Sequence, residues 1–416
     1  MSDNRIPRPA RRRRIVLTGA VLVAMSGPGQ TAGFSVFVDP LTEALDVSRS
    51  GLTVAYLIGT LAASTTGTWL GRIADRRPMA AVVRAVAVAL GLAVLLAAAS
   101  TNIVVLTIAI YGLRSFGQTG MTLSASVFVA RSVDVGRGAA LGLLTAVGGS
   151  AISLTPLIAS RLITAVGWRW TWVALAVMVV SVGTAASVSV QRLEASVDPE
   201  RSDGSSTAHR VDRSVDPDER WGRRRNGFIL VAAAFTCNGV VATALAFHQI
   251  ALLGERGLDA AAAATNFLPQ SLAAAAVALA VGRLVDRLPG RWVLVADMSL
   301  LTVATLAVTR VEGAVAAAAF GMLLGSATAA TASSEGALLA RWVGTERLGT
   351  WRGRMLTAVV IGTALAPLGF ELLATATGSF TAAARLLAVV PACVAVGALV
   401  TRLPAEIAAG DARMPA

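Results

Sequence analysis

Apolar residues in this chain fall in blocks of about twenty, separated by short loops that carry arginine. A helix of that length rises 1.5 Å per residue and crosses a hydrocarbon core of ~30 Å. In lipid every backbone N–H and C=O needs an internal partner, which leaves helices or a closed barrel. The period-two alternation of a barrel strand is absent. The first block, Ile15 to Val38, holds no charged residue. Twelve spans are predicted, near 15–38, 52–70, 79–99, 103–130, 138–158, 171–190, 227–253, 261–281, 292–309, 314–340, 355–376 and 380–401. The expected fold is an all-α integral membrane protein. Composition agrees: 14% of residues are charged, against about 25% in soluble chains.

The net charge of +12 does not mark a nucleic-acid binder, because the basic residues sit between apolar blocks and form no single stripe. All 36 are arginine. Without lysine there is no Walker A motif, so the chain carries no P-loop ATPase of its own. With the N-terminus placed in the cytoplasm, 28 arginines fall in cytoplasmic segments. Five (Arg49, Arg161, Arg169, Arg256, Arg310) fall outside and three (Arg84, Arg114, Arg385) within spans. The bias predicts both termini on the cytoplasmic side of a bacterial cell membrane. Seven of eight tryptophans (Trp69, Trp168, Trp170, Trp172, Trp292, Trp342, Trp351) sit at predicted span ends, as interfacial anchors should. The apolar stretch after the basic N-terminal tail is too long for a signal peptide and reads as a retained first helix. Two histidines and two cysteines without CxxC spacing make no metal or redox site, and no cofactor is expected.

The segment 191–226 carries eight arginines and eight acidic residues with no apolar run, and is expected to be a disordered cytoplasmic linker. It divides a basic tail (1–14) and six spans (15–190) from six further spans (227–401) and a second tail (402–416). The halves repeat at an offset of 211 residues. Gly71-Arg-Ile-Ala-Asp75-Arg76 returns as Gly282-Arg-Leu-Val-Asp286-Arg287, Pro156 as Pro367 and Gly167 as Gly378. An even number of spans per half makes the repeats parallel, about an axis normal to the membrane.

These two loops, at matching places in two six-span halves, resemble the G-x-x-x-D-R-x-G-R-R motif of the major facilitator superfamily. The first copy has Pro78 where the family has its second glycine. Span 4 carries Arg114-Ser-Phe-Gly117-Gln118-Thr-Gly120, similar to the family's buried-arginine motif. Gly136-Arg137-Gly138, Gly349-Thr-Trp-Arg352-Gly353 and Gly27-Pro28-Gly29-Gln30 with Tyr56 resemble the monocarboxylate-porter and oxalate/formate-antiporter branch. The G-P-x-x-G-G signature of drug/proton antiporters is missing from span 5, where Leu154-Thr155-Pro156-Leu157 stands. The resemblance implies a twelve-helix transporter that works by alternating access. It also implies that Gly71, Asp75, Arg76, Gly282, Asp286 and Arg287 latch the halves in the outward-open state. Gly71 leaves room for two helices to approach, and Asp75 can accept hydrogen bonds at a neighbouring helix N-terminus.

Arg114 is the most constrained residue. A guanidinium at mid-membrane must face the bundle interior and find a partner, which is a backbone carbonyl, a distant acid or an anionic substrate. Gly27, Pro28 and Gly29 break the hydrogen bonding of span 1 near its centre and expose backbone groups to a cavity, with Gln30 beside them. Pro156 and Pro367 are kinks of the same kind. Gln118, Asn238 and Gln270 are further candidate substrate contacts, and as readily interhelical hydrogen bonds. His248, Glu335 and Glu371 are candidate proton sites. Asp297, and equally Glu335 and Glu371, lie toward span ends, within reach of the interface or of an arginine. The expectation is a monomeric secondary transporter of a small organic solute, a carboxylate first, with proton coupling implied by the resemblance. The alternatives are efflux of hydrophobic compounds and a transporter-like sensor that moves nothing.

Overall fold

The computed structural model describes residues 8–133, 137–195, 217–284, 288–343 and 348–401. Among them there are helices and no strands. Span 1 comprises α1 (Arg8–Met25), a 3-10 turn at Gly27–Gly29, α2 (Thr31–Ser35) and α3 (Val38–Ala44). Span 2 is α4 (Arg49–Ala63) and α5 (Thr66–Arg76); span 3 is α6 (Met79–Ala98). Span 4 is α7 (Ile103–Gly112), a π-helix (Leu113–Met121) and α8 (Thr122–Ser132). Span 5 is α9 (Arg137–Ile152) and the first part of α10 (Leu154–Ala195), whose remainder is span 6. The second half holds α11 (Pro217–Gly254) as span 7, then α12 (Ala260–Thr265) and α13 (Phe267–Leu284) as span 8. Spans 9, 10 and 11 are α14 (Gly290–Ala307), α15 (Ala314–Val343) and α16 (Leu348–Thr377). Span 12 is α17 (Phe380–Leu387) with α18 (Val389–Val400).

Seven helical stretches among the described residues are long and apolar enough to cross a bilayer. One of them, Ala146–Ala195, folds back at Gly167 and supplies two spans. The spans not among them are 1, 2, 4 and 8, and each has a local cause. Pro28 lacks the N–H that span 1 would need there. In span 2, Ser64 and Thr65 turn their hydroxyls back onto the carbonyls of Leu61 and Ala62, at 2.7 and 2.9 Å, in competition with the helix. Span 4 widens into a π-helix. Span 8 parts at Asn266, where Pro269 offers no N–H to the carbonyl four residues back.

Gly167 and Gly378, one repeat apart, turn spans 5–6 and 11–12 at φ +80° and +75°. An L side chain at either would be strained, so the equivalent hairpins of both halves rest on glycine. Carboxylates pin each bundle. Glu194 accepts from the amides of Met79 and Ala80 at 3.2 and 3.4 Å, capping span 3 with the end of span 6. Glu255 accepts from the amides of Phe380 and Thr381 at 2.7 and 2.9 Å and from the hydroxyls of Ser379 and Thr381. It thereby caps span 12 from the end of span 7. Burial pushes the Glu255 pKa up, but these donors outweigh it and hold the carboxyl below its ordinary value of 4.5.

The bundle has a terminal face, where α1 starts and α18 ends, and an opposite, distal face. On the terminal face Arg11 reaches the carbonyls of Ser132 and Leu193, both at 3.4 Å. The halves meet on the distal side through α2 with α11, α4 with α16 and α10 with α12. They meet again near the middle, where Ser153 of span 5 bonds Ser271 of span 8. The terminal parts of spans 2 and 4, α5 and α8, pack on elements of their own half.

Three expectations change. Helix α10 runs to Ala195 and α11 starts at Pro217, so both ends of the 191–226 segment are helical. Arginines and acids solvate a helix that emerges into water as well as they solvate a coil. Trp172 is no interfacial anchor: it is fully buried and stacks on Phe37 at 3.8 Å between centroids. Asp297 does not reach the interface either. It is 5% exposed and accepts a 2.7 Å bond from Ser334 of span 10.

Candidate solute site and distal gate

The break in span 1 lies against the π-helix of span 4. A Cβ on Gly29 would sit 2.1 Å from the carbonyl oxygen of Leu113 and 2.8 Å from the Cα of Gly117. The two spans therefore touch backbone to backbone, which only glycine permits. That contact turns the Gly29 carbonyl toward span 4, and Arg114 donates to it through Nη1 at 3.2 Å. The same nitrogen lies 3.3 Å from Thr31 Oγ1. The guanidinium carbon stands 5.1 Å from the centre of the Tyr56 ring, whose hydroxyl is 3.0 Å from Thr31 Oγ1.

Arg114 is 5% exposed, and Nε has no partner among the described residues. Its partners are a carbonyl, a hydroxyl and an aromatic face, and no carboxylate pairs with it among the described residues. Charge-assisted hydrogen bonds contribute about 1.5–3 kcal/mol each, and a desolvated cation–π contact about 2 kcal/mol. These offset part of the several kcal/mol lost on burying an ion, but they leave a net positive charge.

On the distal side of Arg114 the halves are plugged by aromatic rings. Tyr56 of span 2 meets Phe247 of span 7 edge-on at 4.7 Å, and Phe34 of span 1 packs on both, at 5.4 and 6.0 Å. All three are buried. The residue after Phe247 is His248, fully buried, with Nε2 3.0 Å from the carbonyl of Pro367 and Nδ1 3.5 Å from Glu371. The rings of Phe370 and Phe380 stand 5.5 and 5.1 Å from the imidazole. Arg49 of span 2 crosses from the other half, pairs with Asp39 and sits 5.7 Å over Phe380.

Residues 19–309 match the family model of the Major Facilitator Superfamily. The chain belongs to this superfamily. Its fold is similar to two crystal structures of a bacterial homolog of the human lysosomal transporter Spinster, both described as inward-facing. The unoccupied form is 15% identical, with 96% of each chain covered and a TM-score of 0.66. The occupied form is also 15% identical, with 94% of this chain and 95% of the other covered and a TM-score of 0.63. No curated protein matches the sequence.

In this major facilitator chain the expected site residues divide into groups. Gln30 is half-buried and turns back to Ser26 Oγ at 2.9 Å, within the span 1 break. Gln118, next to that break, leaves its side-chain oxygen unpaired. Asn238 donates to the Thr328 carbonyl at 3.4 Å, and among the described residues its Oδ1 and the Oε1 of Gln270 have no partner. Pro156 stands in the first turn of α10, just past the end of α9, while Pro367 lies inside α16 and supplies the carbonyl that holds His248.

The latch residues are a different matter. Arg76 is exposed at the end of α5. A methyl placed on Gly71 would meet nothing within 4 Å among the described residues. Among the described residues α5 packs on α4, α6, α8 and the π-helix of its own half. Gly282 lies in α13; the side chains of Asp75 and Glu335, and all of Asp286 and Arg287, lie outside the described residues.

Sequence reasoning missed Thr31 and Arg49 and gave Tyr56 no role. Nothing local marks them: Arg49 sits over the ring of Phe380, 331 positions away, and the two come together only through the packing of the halves. Arg131 was also missed. It donates to the Ala74 carbonyl at 2.8 Å and ties the end of span 4 to the loop-motif helix.

Proposed function

We propose that this chain carries a small organic anion, a carboxylate first, across the cytoplasmic membrane by proton-coupled alternating access. The observation that carries the reading is Arg114: a buried guanidinium with neutral partners and an unpaired Nε. A carboxylate supplies the charge that its surroundings lack, in the geometry that guanidinium binds best. Gln30, at the end of the span 1 break, and Gln118, whose backbone lies against Gly29, are amides that could orient it. The resemblance to the monocarboxylate-porter branch points the same way.

The arginine distribution supports a cytoplasmic terminal face. The distal closure then corresponds to a state open toward the cytoplasm, in keeping with the inward-facing description of the two similar crystal structures. The pair His248–Glu371, 3.5 Å apart, supplies the two proton-binding groups that this reading needs.

The test is uptake into proteoliposomes under an imposed pH gradient, with a panel of carboxylates, neutral solutes and lipophilic cations. Uptake of a carboxylate is expected. Arg114→Gln should lower apparent affinity about 100-fold, in line with the 2–5 kcal/mol for removing one side of a buried charge pair. Arg114→Lys should recover only part of it, since the fork geometry is lost. Equal affinity in wild type and R114K would remove the solute contact. Transport of lipophilic cations in place of carboxylates would turn the reading to efflux, and absence of any flux would turn it to a sensor.

A further inference from the structure

The distal face holds a recess of about 480 Å³, apart from the Arg114 site. A cavity of that size is in the range that takes a small organic molecule. Its walls come from both halves. Asp39 and Glu43 of α3, with Ser160 and Trp168 of α10, belong to the first; Ile250 of α11 and Ala260 of α12 belong to the second.

The charge of this lining is one-sided: it holds two carboxylates and no basic residue. Asp39 is paired with Arg49. Glu43 is exposed and makes no ion pair among the described residues. Arg161 of α10 is exposed and outside the lining. Arg169 is turned to the Trp168 ring, 4.2 Å from its centre, and to the Ala98 carbonyl at 2.8 Å. Ser160 points to a ligand independently of the acids. It is 6% exposed and lines the recess, and its hydroxyl has no hydrogen-bond partner among the described residues. Thr164, one turn on, instead donates its hydroxyl to the Ser160 carbonyl at 3.1 Å. A buried serine oxygen open to an acid-lined recess is an acceptor for an N–H. A primary ammonium ion with an apolar body answers every part of this lining. Its charge faces Glu43, one N–H reaches Ser160, and the body packs on Trp168 and Ile250.

We infer that the recess is a binding site for a small organic ammonium ion, and that the occupant holds the distal side closed. Helices α10 and α12 pack on each other across the halves. Distal opening parts them and with them the walls of the recess, so the ion binds the closed form. By linkage the occupant raises the closed-to-open ratio by the factor 1 + [L]/Kd. The preferred charge is opposite to that at Arg114, so the occupant regulates the cycle and is not the carried solute. The closing effect rests on the alternating-access reading above; the binding does not.

The experiment is calorimetric titration of the full-length protein at low salt with benzylammonium, with benzyltrimethylammonium and benzenesulfonate as comparisons. One-to-one binding of benzylammonium and none of benzenesulfonate is expected. Glu43→Gln should raise Kd about twofold to fivefold, as for an exposed ion pair. Ser160→Ala should weaken benzylammonium about fivefold, the value of one hydrogen bond, and leave benzyltrimethylammonium, which has no N–H, unchanged. Ala260→Trp, at an exposed position of the second half, should fill the recess and abolish binding. The closing effect is read from spin labels at Thr101→Cys and Glu312→Cys, exposed distal positions in the two halves, with Cys237→Ser and Cys393→Ser. Phe247→Ala, which removes a ring of the plug, is added to populate a longer distance. Benzylammonium at about 100 times its Kd should then lower the long-to-short ratio about 100-fold. No saturable binding, equal binding of benzenesulfonate, or unchanged affinity in A260W would overturn the site. A distribution without a long component, or with one that benzylammonium leaves unchanged, would overturn the closing effect. No step uses a transported solute, so loss of the carboxylate reading leaves the site standing, and loss of the site leaves the uptake panel unaffected.

Discussion

Counting 211 residues on from Arg114 reaches Gly325, and the same count carries Phe37 to His248 and Ser160 to Glu371. The two halves share a backbone plan down to the Gly167 and Gly378 turns, yet they place opposite chemistry at matching positions. The first half holds a permanent cation where the second has no side chain, and the carbonyl of Gln270 fills that space, 1.9 Å from the site of a Cβ. The second half holds a titratable pair where the first stacks Phe37 on Trp172. Their backbones differ accordingly. Span 1 is broken at Gly27–Gly29 and span 4 is π-helical, while span 7 runs unbroken through Asn238 and span 10 through Gly325. An arginine keeps its proton under any physiological condition, whereas histidine and glutamate exchange theirs. One half thus carries a permanent cation and the other two side chains of titratable type.

The largest effect that bears on this contrast is expected at Gly29. Gly29→Ala drives a methyl into the Leu113 carbonyl, parts spans 1 and 4, and takes the Gly29 carbonyl away from Arg114. A loss of about 1–3 kcal/mol from overpacking should appear as a lower unfolding temperature, together with near-complete loss of uptake. Retained uptake would mean that the broken geometry of span 1 is incidental to Arg114. A smaller effect is expected at Asn238, the counterpart of Gly27. Asn238→Ala removes one long interhelical bond, about 0.6 kcal/mol, and should leave apparent affinity unchanged. A tenfold rise in the half-saturating concentration would instead place a solute contact in the second half and break the division. The smallest effect concerns Glu255. Because its carboxyl is held below 4.5 in the folded protein, its stabilisation is present in full above that value and fades as pH falls through the depressed one. Glu255→Gln should lower thermal stability by about a few tenths of a kcal/mol, screened as an exposed group is. The deficit should be constant from pH 5 to 8 and vanish at lower pH. A deficit that changes between pH 5 and 8 would show that the four donors do not hold Glu255 below its ordinary value.

What could be read in advance follows from cost. A guanidinium in the bilayer is expensive wherever it points, so Arg114 announces itself without a structure. Gly-Pro-Gly disrupts a helix in any setting. A 211-residue echo survives because turns such as Gly167 and Gly378 admit few substitutes. Rotation of a helix about its own axis leaves no such mark. In a span that is apolar on every face, nothing local tells which side meets protein and which meets lipid, so Trp172 reads as an anchor although it is buried. Arg49 reads as a loop charge, although packing sets it over the ring of Phe380 in the other half. The π-helix of span 4 is equally silent, since its residues satisfy either winding.

An unneutralised Arg114 also has an electrical consequence. A carrier that bears one fixed positive charge within the bilayer field is itself the charged species when empty, and a monovalent anion cancels that charge on loading. Membrane voltage, worth about 2.3 kcal/mol per charge per 100 mV, then acts on the return of the empty carrier and, where a proton travels with the anion, equally on the loaded passage.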